Sequence, residues 1–327
     1  MYHLIHVIQF FSFLSSQFTN AILLYLIYTK TRKNFGPYRY LMATFSIYAI
    51  IYNYVDLLTQ PLVLVEKQMY AVVNHGPLSY YPNAGYVLVC MFGASFGMCI
   101  SLLCTQFFYR YLALCKPNIL VRFEGLKLSL IFIPPLILSV TWFLFCLFGL
   151  QMSSEKQQVL KIPLSEKYDE DSSRVTFVGG LYWKADGNGV THWNIQNCIG
   201  TSGLCVLMSI CCLTILFCGI KTYNKMNDGG GTMSDRTKEL NRQLFITLSL
   251  QTLLPFILMY IPVGLIFLLP LFDAKIGFLA STSAASTAIY PAIEPLIALL
   301  CITTFRKSLF CNRKIGKVSS TAATSTA

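Results

Sequence analysis

Charge is scarce in this chain. Asp, Glu, Lys and Arg make up 12% of it, where a soluble domain carries about 25%. A water-solvated surface is therefore missing. The acidic sign is the scarcer one, 14 residues against 25 Lys and Arg. No Asn-x-Ser/Thr sequon occurs, so N-glycosylation is not expected. The four His and twelve Cys show no ligand spacing, so no metal is expected. Asp228-Gly229-Gly230-Gly231 is glycine-rich. No strand pattern precedes it and no GxxxxGK follows, so it reads as a linker and no cofactor is implied. HExxH, a paired catalytic Asp motif and a Ser/His dyad at membrane depth are all missing, so the chain is not expected to be an enzyme. No internal repeat is visible, which weighs against an inverted-repeat transporter.

What the chain does have is seven apolar runs, at 5–28, 39–60, 85–109, 127–150, 197–220, 243–269 and 276–302. Each reaches the roughly 20 residues a helix needs to cross a hydrocarbon core of about 30 Å. Helices satisfy their own backbone groups and can sit in lipid, where loops cannot. The reading is an all-α membrane protein, a seven-transmembrane helix bundle. It forms one domain over 1–327, with a cytoplasmic tail over 303–327.

The net charge of +11 does not point to nucleic acid, because of where it sits. With the N-terminus outside, eighteen of the 25 Lys and Arg fall on the inner side. They include Lys30, Arg32, Lys33 and Arg39 in the first inner loop, and Lys221 and Lys225 in the third. Short loops rich in Lys and Arg stay cytoplasmic, and there they attract anionic inner-leaflet lipid. The N-terminus is thus expected outside and the C-terminus inside. The first run lacks a basic start and is too long for a cleaved signal, so it reads as a retained span.

Twelve cysteines do not make a disulfide framework here. Eight lie within spans, where Cys acts as a small apolar filler. Cys90 and Cys198, near outer helix ends, could form one bridge or stay free, depending on their Cα separation. The outer loop 61–84 reads as irregular and turn-rich, and the 151–196 loop as polar, with a turn at Gly187-Asn188-Gly189. Pro134-Pro135 predicts a kink in the fourth span; Pro255 and Pro262 mark the sixth, Pro291 and Pro295 the seventh. Thr304–Lys314 alternates Phe305, Leu309 and Phe310 with Arg306, Lys307 and Arg313, which suits a short amphipathic helix on the inner membrane face. Cys311 beside it is a palmitoylation candidate. Ser319, Ser320, Thr321, Thr324, Ser325 and Thr326 are kinase candidates or a merely solvated tail.

The run Thr105-Gln106-Phe107-Phe108-Tyr109-Arg110-Tyr111-Leu112-Ala113-Leu114-Cys115-Lys116-Pro117 resembles the third-helix terminus of rhodopsin-like G-protein-coupled receptors. Their Asp/Glu-Arg-Tyr triplet has its acid replaced here by Tyr109. Together with Tyr290-Pro291-Ala292-Ile293-Glu294-Pro295-Leu296, Phe305-Arg306, and Gln251, Pro255 and Pro262, it resembles the nematode Str-type chemosensory receptors across nearly the whole chain. The resemblance implies an olfactory G-protein-coupled receptor. It would bind a small odorant or other environmental molecule and activate a heterotrimeric G protein, with a receptor kinase or arrestin as further partners. It would sit in the plasma membrane, with the membrane of a sensory-neuron cilium as the specific site. A transporter or ligand-gated channel is the alternative, disfavoured because Asp56 and Glu294 are nearly alone at membrane depth.

Arg110 carries five donors and a permanent charge. It can hold the closed bundle and then meet a partner's carbonyls when the bundle opens, or it can simply snorkel and mark topology. Glu294, within the seventh span, needs a partner because a carboxylate there costs about 2.5–3.5 kcal/mol. In the resemblance Glu294-Pro295 takes the place of Asn-Pro, and the tyrosine three residues on is absent, since Ala298 stands there. Asn53 and Asp56 share one face of the second span and, with Met91, Phe92, Phe96 and Tyr260, are candidates to line a ligand pocket. For Met91, Phe92, Phe96 and Tyr260 the alternative is helix packing or lipid contact; for Asp56 it is reach to the headgroup region.

Overall fold

The structure is a computed structural model that describes residues 2–31, 35–123, 125–186, 190–227, 235–274, 276 and 278–310. The Gly187–Gly189 turn, the Asp228–Gly231 linker, Cys311 and the Ser/Thr tail lie outside these residues. Seven helices are long and apolar enough to cross a membrane: Leu4–Lys30, Tyr38–Thr59, Pro82–Cys115, Gly125–Gly149, Ile195–Asn227, Thr237–Phe272 and Ala280–Cys301. Large apolar side chains lie open on their outer faces, among them Phe18, Ile137, Leu213 and Leu268. In water so much exposed apolar surface would drive association; against lipid it is ordinary.

The prolines act where the helical winding changes rather than as simple kinks. In the fourth span a 3-10 segment, Gly125–Phe132, turns into α-helix at Ile133–Leu144, with Pro134 and Pro135 in the opening turn. That is the place where a missing N–H does least harm. A π-helical turn, Phe145–Gly149, ends the span. The sixth span passes through a π-helical turn at Phe256–Tyr260, just after Pro255, and resumes as α-helix at Ile261 with Pro262 in its first turn.

In the seventh span Pro295 cannot donate to the Pro291 carbonyl four residues earlier. The first span supplies the missing donors: Ser16 Oγ at 2.9 Å and Asn20 Nδ2 at 3.1 Å. Ser46 Oγ then donates to Asn20 Oδ1 at 2.7 Å, and Asn53 Nδ2 to Ser16 Oγ at 2.5 Å. One polar knot therefore ties the first, second and seventh spans. Interhelical hydrogen bonds in lipid average only about 0.6 kcal/mol each. The larger effect is that a carbonyl freed by proline is not left bare in hydrocarbon, which would cost several kcal/mol.

The outer side is more structured than its turn-rich composition predicts. Residues 62–73 form a hairpin, β1 (Leu62–Glu66) and β2 (Met69–Val73). The strand β3 (Phe177–Leu181) adds to β2 antiparallel, with Ala71 opposite Gly179. Both faces of this sheet are buried, so the strands read as unbroken apolar runs without the alternation that would reveal them. Within the 151–196 loop lie a helix, Ser154–Tyr168, and a small hairpin of β4 (Trp183–Ala185) and β5 (Thr191–Trp193).

The sheet is stapled to the spans. Tyr70 shares a hydrogen bond with Thr201 of the fifth span at 2.8 Å, and Ser281 Oγ of the seventh donates to the Val63 carbonyl at 2.9 Å. Lys156 is 2% exposed. Its Nζ donates to the carbonyls of Gln151 and Gly179 and to Asn197 Oδ1, at 2.7, 2.8 and 2.8 Å. All three ammonium donors are thus used, and burial pulls this amine down to about 8.

After the seventh span a short helix, Thr303–Phe310, turns its Phe305 into the bundle. That ring is fully buried and stacks on Phe35 at 5.8 Å. Protein takes up that apolar anchor, and the more exposed Leu309 and Phe310 remain on the outside of the helix.

Candidate functional site

Under the sheet lies an enclosed apolar cavity of about 80 Å³. Val63, Tyr70 and Val178 of the sheet roof it; Phe92, Gly93 and Phe96 of the third span and Trp142 and Cys146 of the fourth wall one side. Leu204, Ile266, Phe267, Ser283, Ala284 and Thr287 complete it from the fifth, sixth and seventh spans. Trp142 fits because Gly97 faces it: a Cβ there would stand 2.8 Å from the indole ring. The fourth and fifth spans approach as closely at Gly149, whose added Cβ would sit 2.9 Å from the Gly200 Cα.

The lining is almost wholly apolar. Its hydroxyls are occupied as donors within their own helix, Ser283 to the Ala280 carbonyl and Thr287 to that of Ala284. Beside it stand three buried phenols: the Tyr52 hydroxyl faces that of Thr287, and those of Tyr260 and Tyr290 have no hydrogen-bond partner. The Tyr260 ring packs edge-on to Phe96 at 5.1 Å, and Tyr52 lies 6.2 Å from Phe92. A buried donor without a partner costs about 1–3 kcal/mol. The arrangement favours a small neutral guest with an apolar body. A cavity of about 150 Å³ takes benzene, so this one takes something smaller unless it expands.

Of the pocket candidates, the structure brings Phe92 and Phe96 to the cavity wall and sets Tyr260 behind Phe96. Three others are elsewhere. Met91 is 45% exposed on the outer surface, because it is one position, or about 100° of helix, from Phe92. Asn53 is consumed in the polar knot, where it also donates to the Ala49 carbonyl at 2.8 Å. Asp56 is buried but outside the cavity lining, and its Oδ1 has no partner. Trp142, Thr287 and Tyr52 were missed by sequence reasoning, since neighbours on separate helices leave no pattern along the chain. Cys90 and Cys198 are both free. Cys90 is buried near Cys146 of the fourth span, while the Cys198 thiol turns to the Tyr182 carbonyl at 3.8 Å.

The cap over the cavity is closed by a polar chain. His75 Nδ1 is 3.2 Å from His6 Nε2, and His75 Nε2 is 3.1 Å from Glu170 Oε1. Tyr80 donates to both Glu170 oxygens, at 3.1 and 3.0 Å. Burial pulls the His75 imidazole below its ordinary value, against the opposing pull of Glu170. The unfolded chain therefore binds this proton better than the folded one. Stability is complete above the ordinary histidine range and is lost as the pH falls through it toward the lower folded value. The melting temperature of the purified protein is expected to drop between about pH 7.5 and pH 5, and His75→Gln to flatten that slope. A variant with the parent's slope would show that the proton lands elsewhere.

At the inner end, Tyr109, Arg110 and Tyr111 point three ways. Tyr109 is buried against Tyr38 of the second span, ring to ring at 5.8 Å. Tyr111 meets Phe217 of the fifth span at 5.8 Å. Arg110 is 4% exposed, with its guanidinium carbon 3.9 Å from the centre of the Tyr38 ring. Its Nη1 donates to Asn241 Oδ1 of the sixth span at 3.3 Å, while its other buried nitrogens find only the Tyr38 hydroxyl nearby. An aromatic face therefore stands where an acid would, and the arginine is only partly satisfied. Glu294 is 2% exposed and accepts a hydrogen bond from Gln251 of the sixth span; its Oε2 has no partner. Its neighbour Pro295 opens the carbonyl used by the polar knot. The inner ends of the second, third, sixth and seventh spans thus meet through few, incompletely paired polar groups.

Residues 5–310 match the family described as "Serpentine type 7TM GPCR chemoreceptor Str". The chain is 31% identical over 302 residues to the Caenorhabditis elegans protein "Serpentine receptor class r-10", covering 90% of this chain and 87% of that one. It is 27% identical to "G-protein coupled receptor str-217" of the same organism, over 89% of this chain and 84% of that one. In fold it is similar to the crystal structure of squid rhodopsin, with a TM-score of 0.62 at 12% identity, covering 95% of this chain and 85% of the rhodopsin chain.

Proposed function

The chain belongs to the Str family of serpentine seven-transmembrane G-protein-coupled chemoreceptors, and from that premise we propose that it binds a small odorant or other environmental molecule and activates a heterotrimeric G protein. The family consists of multi-pass membrane receptors and not of enzymes. The observation that carries the proposal is the enclosed cavity to which five of the seven spans contribute. A guest there touches the third, sixth and seventh spans, the same spans that carry Arg110, Gln251 and Glu294 nearer the inner end. A guest that fits the open bundle better shifts the population toward it, and by no more than its difference in affinity. The fit is to a small, uncharged, largely apolar molecule. A carboxylate or ammonium guest would be stranded without a counter-charge.

The receptor domain is read as a single unit followed by a cytoplasmic tail from 303, placed in the plasma membrane and specifically that of a sensory-neuron cilium. Receptor kinase and arrestin are proposed partners of that tail. A screen of volatile compounds in cells carrying a promiscuous G protein and a calcium readout tests the activity. On any compound found, Ala284→Leu is expected to weaken the response about tenfold or more at equal surface expression, because the added carbons fill the cavity. An unchanged dose-response would place the ligand elsewhere.

A further inference from the structure

A second pocket, of about 480 Å³, opens at the inner ends of the third and fifth spans. It is lined by Cys115 of the third span and by Lys221, Asn224, Lys225 and Asn227 of the fifth. The Cys115 thiol donates to the Lys221 carbonyl at 3.6 Å, which seats the two helix ends against each other. Lys116 stands close enough to act electrostatically on the same thiol as Lys221 and Lys225. Two lysines thus line one concavity, and a third stands beside it. Among the described residues, no carboxylate forms an ion pair with any of them. The side-chain amides of Asn224 and Asn227 add donors between the lysines.

Depth identifies the occupant. Lys221 is the first charged residue after the apolar run of the fifth span, and Lys116 the first after Arg110 on the third. Both therefore leave the hydrocarbon at the level of the inner-leaflet phosphates. Gathered cations without counter-ions repel one another, and an anion that reaches all of them removes that repulsion. A single phosphodiester would meet one or two ammoniums. The three lysines, with the Asn224 and Asn227 amides, suit several phosphates on a hydroxylated ring.

We propose that this pocket binds the phosphorylated inositol headgroup of an inner-leaflet lipid, and that the bound lipid holds the inner ends of the third and fifth spans together. The site lies apart from the odorant cavity and does not depend on what fills it.

The test uses the full-length receptor in phosphatidylcholine nanodiscs and follows alkylation of Cys115 by N-ethylmaleimide, resolved by peptide mass spectrometry. Adding phosphatidylinositol 4,5-bisphosphate is expected to slow modification of Cys115 about fivefold or more, since protection grows as ligand over dissociation constant. Phosphatidylserine at matched charge is expected to leave the rate nearly unchanged. The double variant Lys221→Gln/Lys225→Gln is expected to lose the protection, and so is Asn224→Ala/Asn227→Ala in part. All four side chains are exposed, so folding should tolerate these changes. Equal protection by phosphatidylserine would reduce the site to diffuse attraction and overturn the proposal. So would protection that survives the lysine variant, or none at all. Protection by soluble inositol 1,4,5-trisphosphate in neutral discs equal to that by the lipid would assign the pocket to a soluble anion instead.

Discussion

Replacing Arg110 with alanine is expected to leave the receptor at the cell surface and to abolish agonist-driven G-protein signalling, a loss of at least about tenfold in maximal response. The side chain lies near the inner end of the third span, and its removal gives up one hydrogen bond to Asn241 and the contact with Tyr38, neither of which the fold of the seven spans depends on. What disappears is, among the described residues, the one buried cation at this depth, with the donors a partner's carbonyls would meet. Tyr38→Ala should act in the opposite direction. A cation–π contact at 3.9 Å is worth about 0.5–2 kcal/mol. If it holds the closed bundle, its loss raises basal activity about two- to thirtyfold. Tyr38→Phe keeps the ring but loses the hydroxyl's contacts with Gln106 and Arg110, and should fall between the alanine variant and the parent. Ligand-free signalling measured at matched surface expression separates the cases. Full signalling by Arg110→Ala would remove its role as a switch. A quiet Tyr38→Ala would show that the aromatic face does not restrain it.

The second large effect is expected at Glu294. Glu294→Lys should fall to about a tenth of parental surface expression or less, and Glu294→Gln should stay within about twofold. Gln251 directs an amide N–H at the Glu294 oxygen. Glutamine still offers an oxygen there, whereas lysine sets one donor against another and places an ammonium in a site 2% exposed. An uncompensated charge at span depth costs about 2.5–3.5 kcal/mol on insertion scales, enough to unbalance a fold of ordinary marginal stability. Gln251→Ala should show a milder loss, since it removes one hydrogen-bond partner and adds no charge at span depth. Surface staining and a thermal-stability assay in detergent read the result. Equal expression of the glutamine and lysine variants would mean that the position is not enclosed.

How much of this was legible along the chain depended on the range of the interaction. Arg110 and Glu294 stood out because charge inside an apolar run conflicts with its surroundings, and the conflict is visible in one dimension. Their partners did not stand out. Tyr38 is 72 positions from Arg110 in the numbering and Asn241 is 131 away. Asn20 looked like an unremarked polar residue in the first span, although the knot that relieves Pro291 turns on it. The loop 61–84 was read as irregular because its apolar stretches are too short for spans and do not alternate. They pair with a third strand more than a hundred residues later, and nothing local announces that pairing.

Seven crossings, their length and their orientation follow from the sequence itself. Lipid demands an unbroken apolar run of fixed minimum length and leaves cations on one side, and both demands are written residue by residue. Which face of each crossing looks inward is another matter. Phe92 lines the cavity and Met91 beside it meets lipid; Asn53 ties helices together and lines nothing; Cys90 and Cys198 face different neighbours. Those outcomes were decided by packing. In lipid, apolar side chains gain little by facing inward rather than outward, so hydropathy carries almost no rotational signal, and only close fit and the pairing of buried polar groups set each helix's rotation.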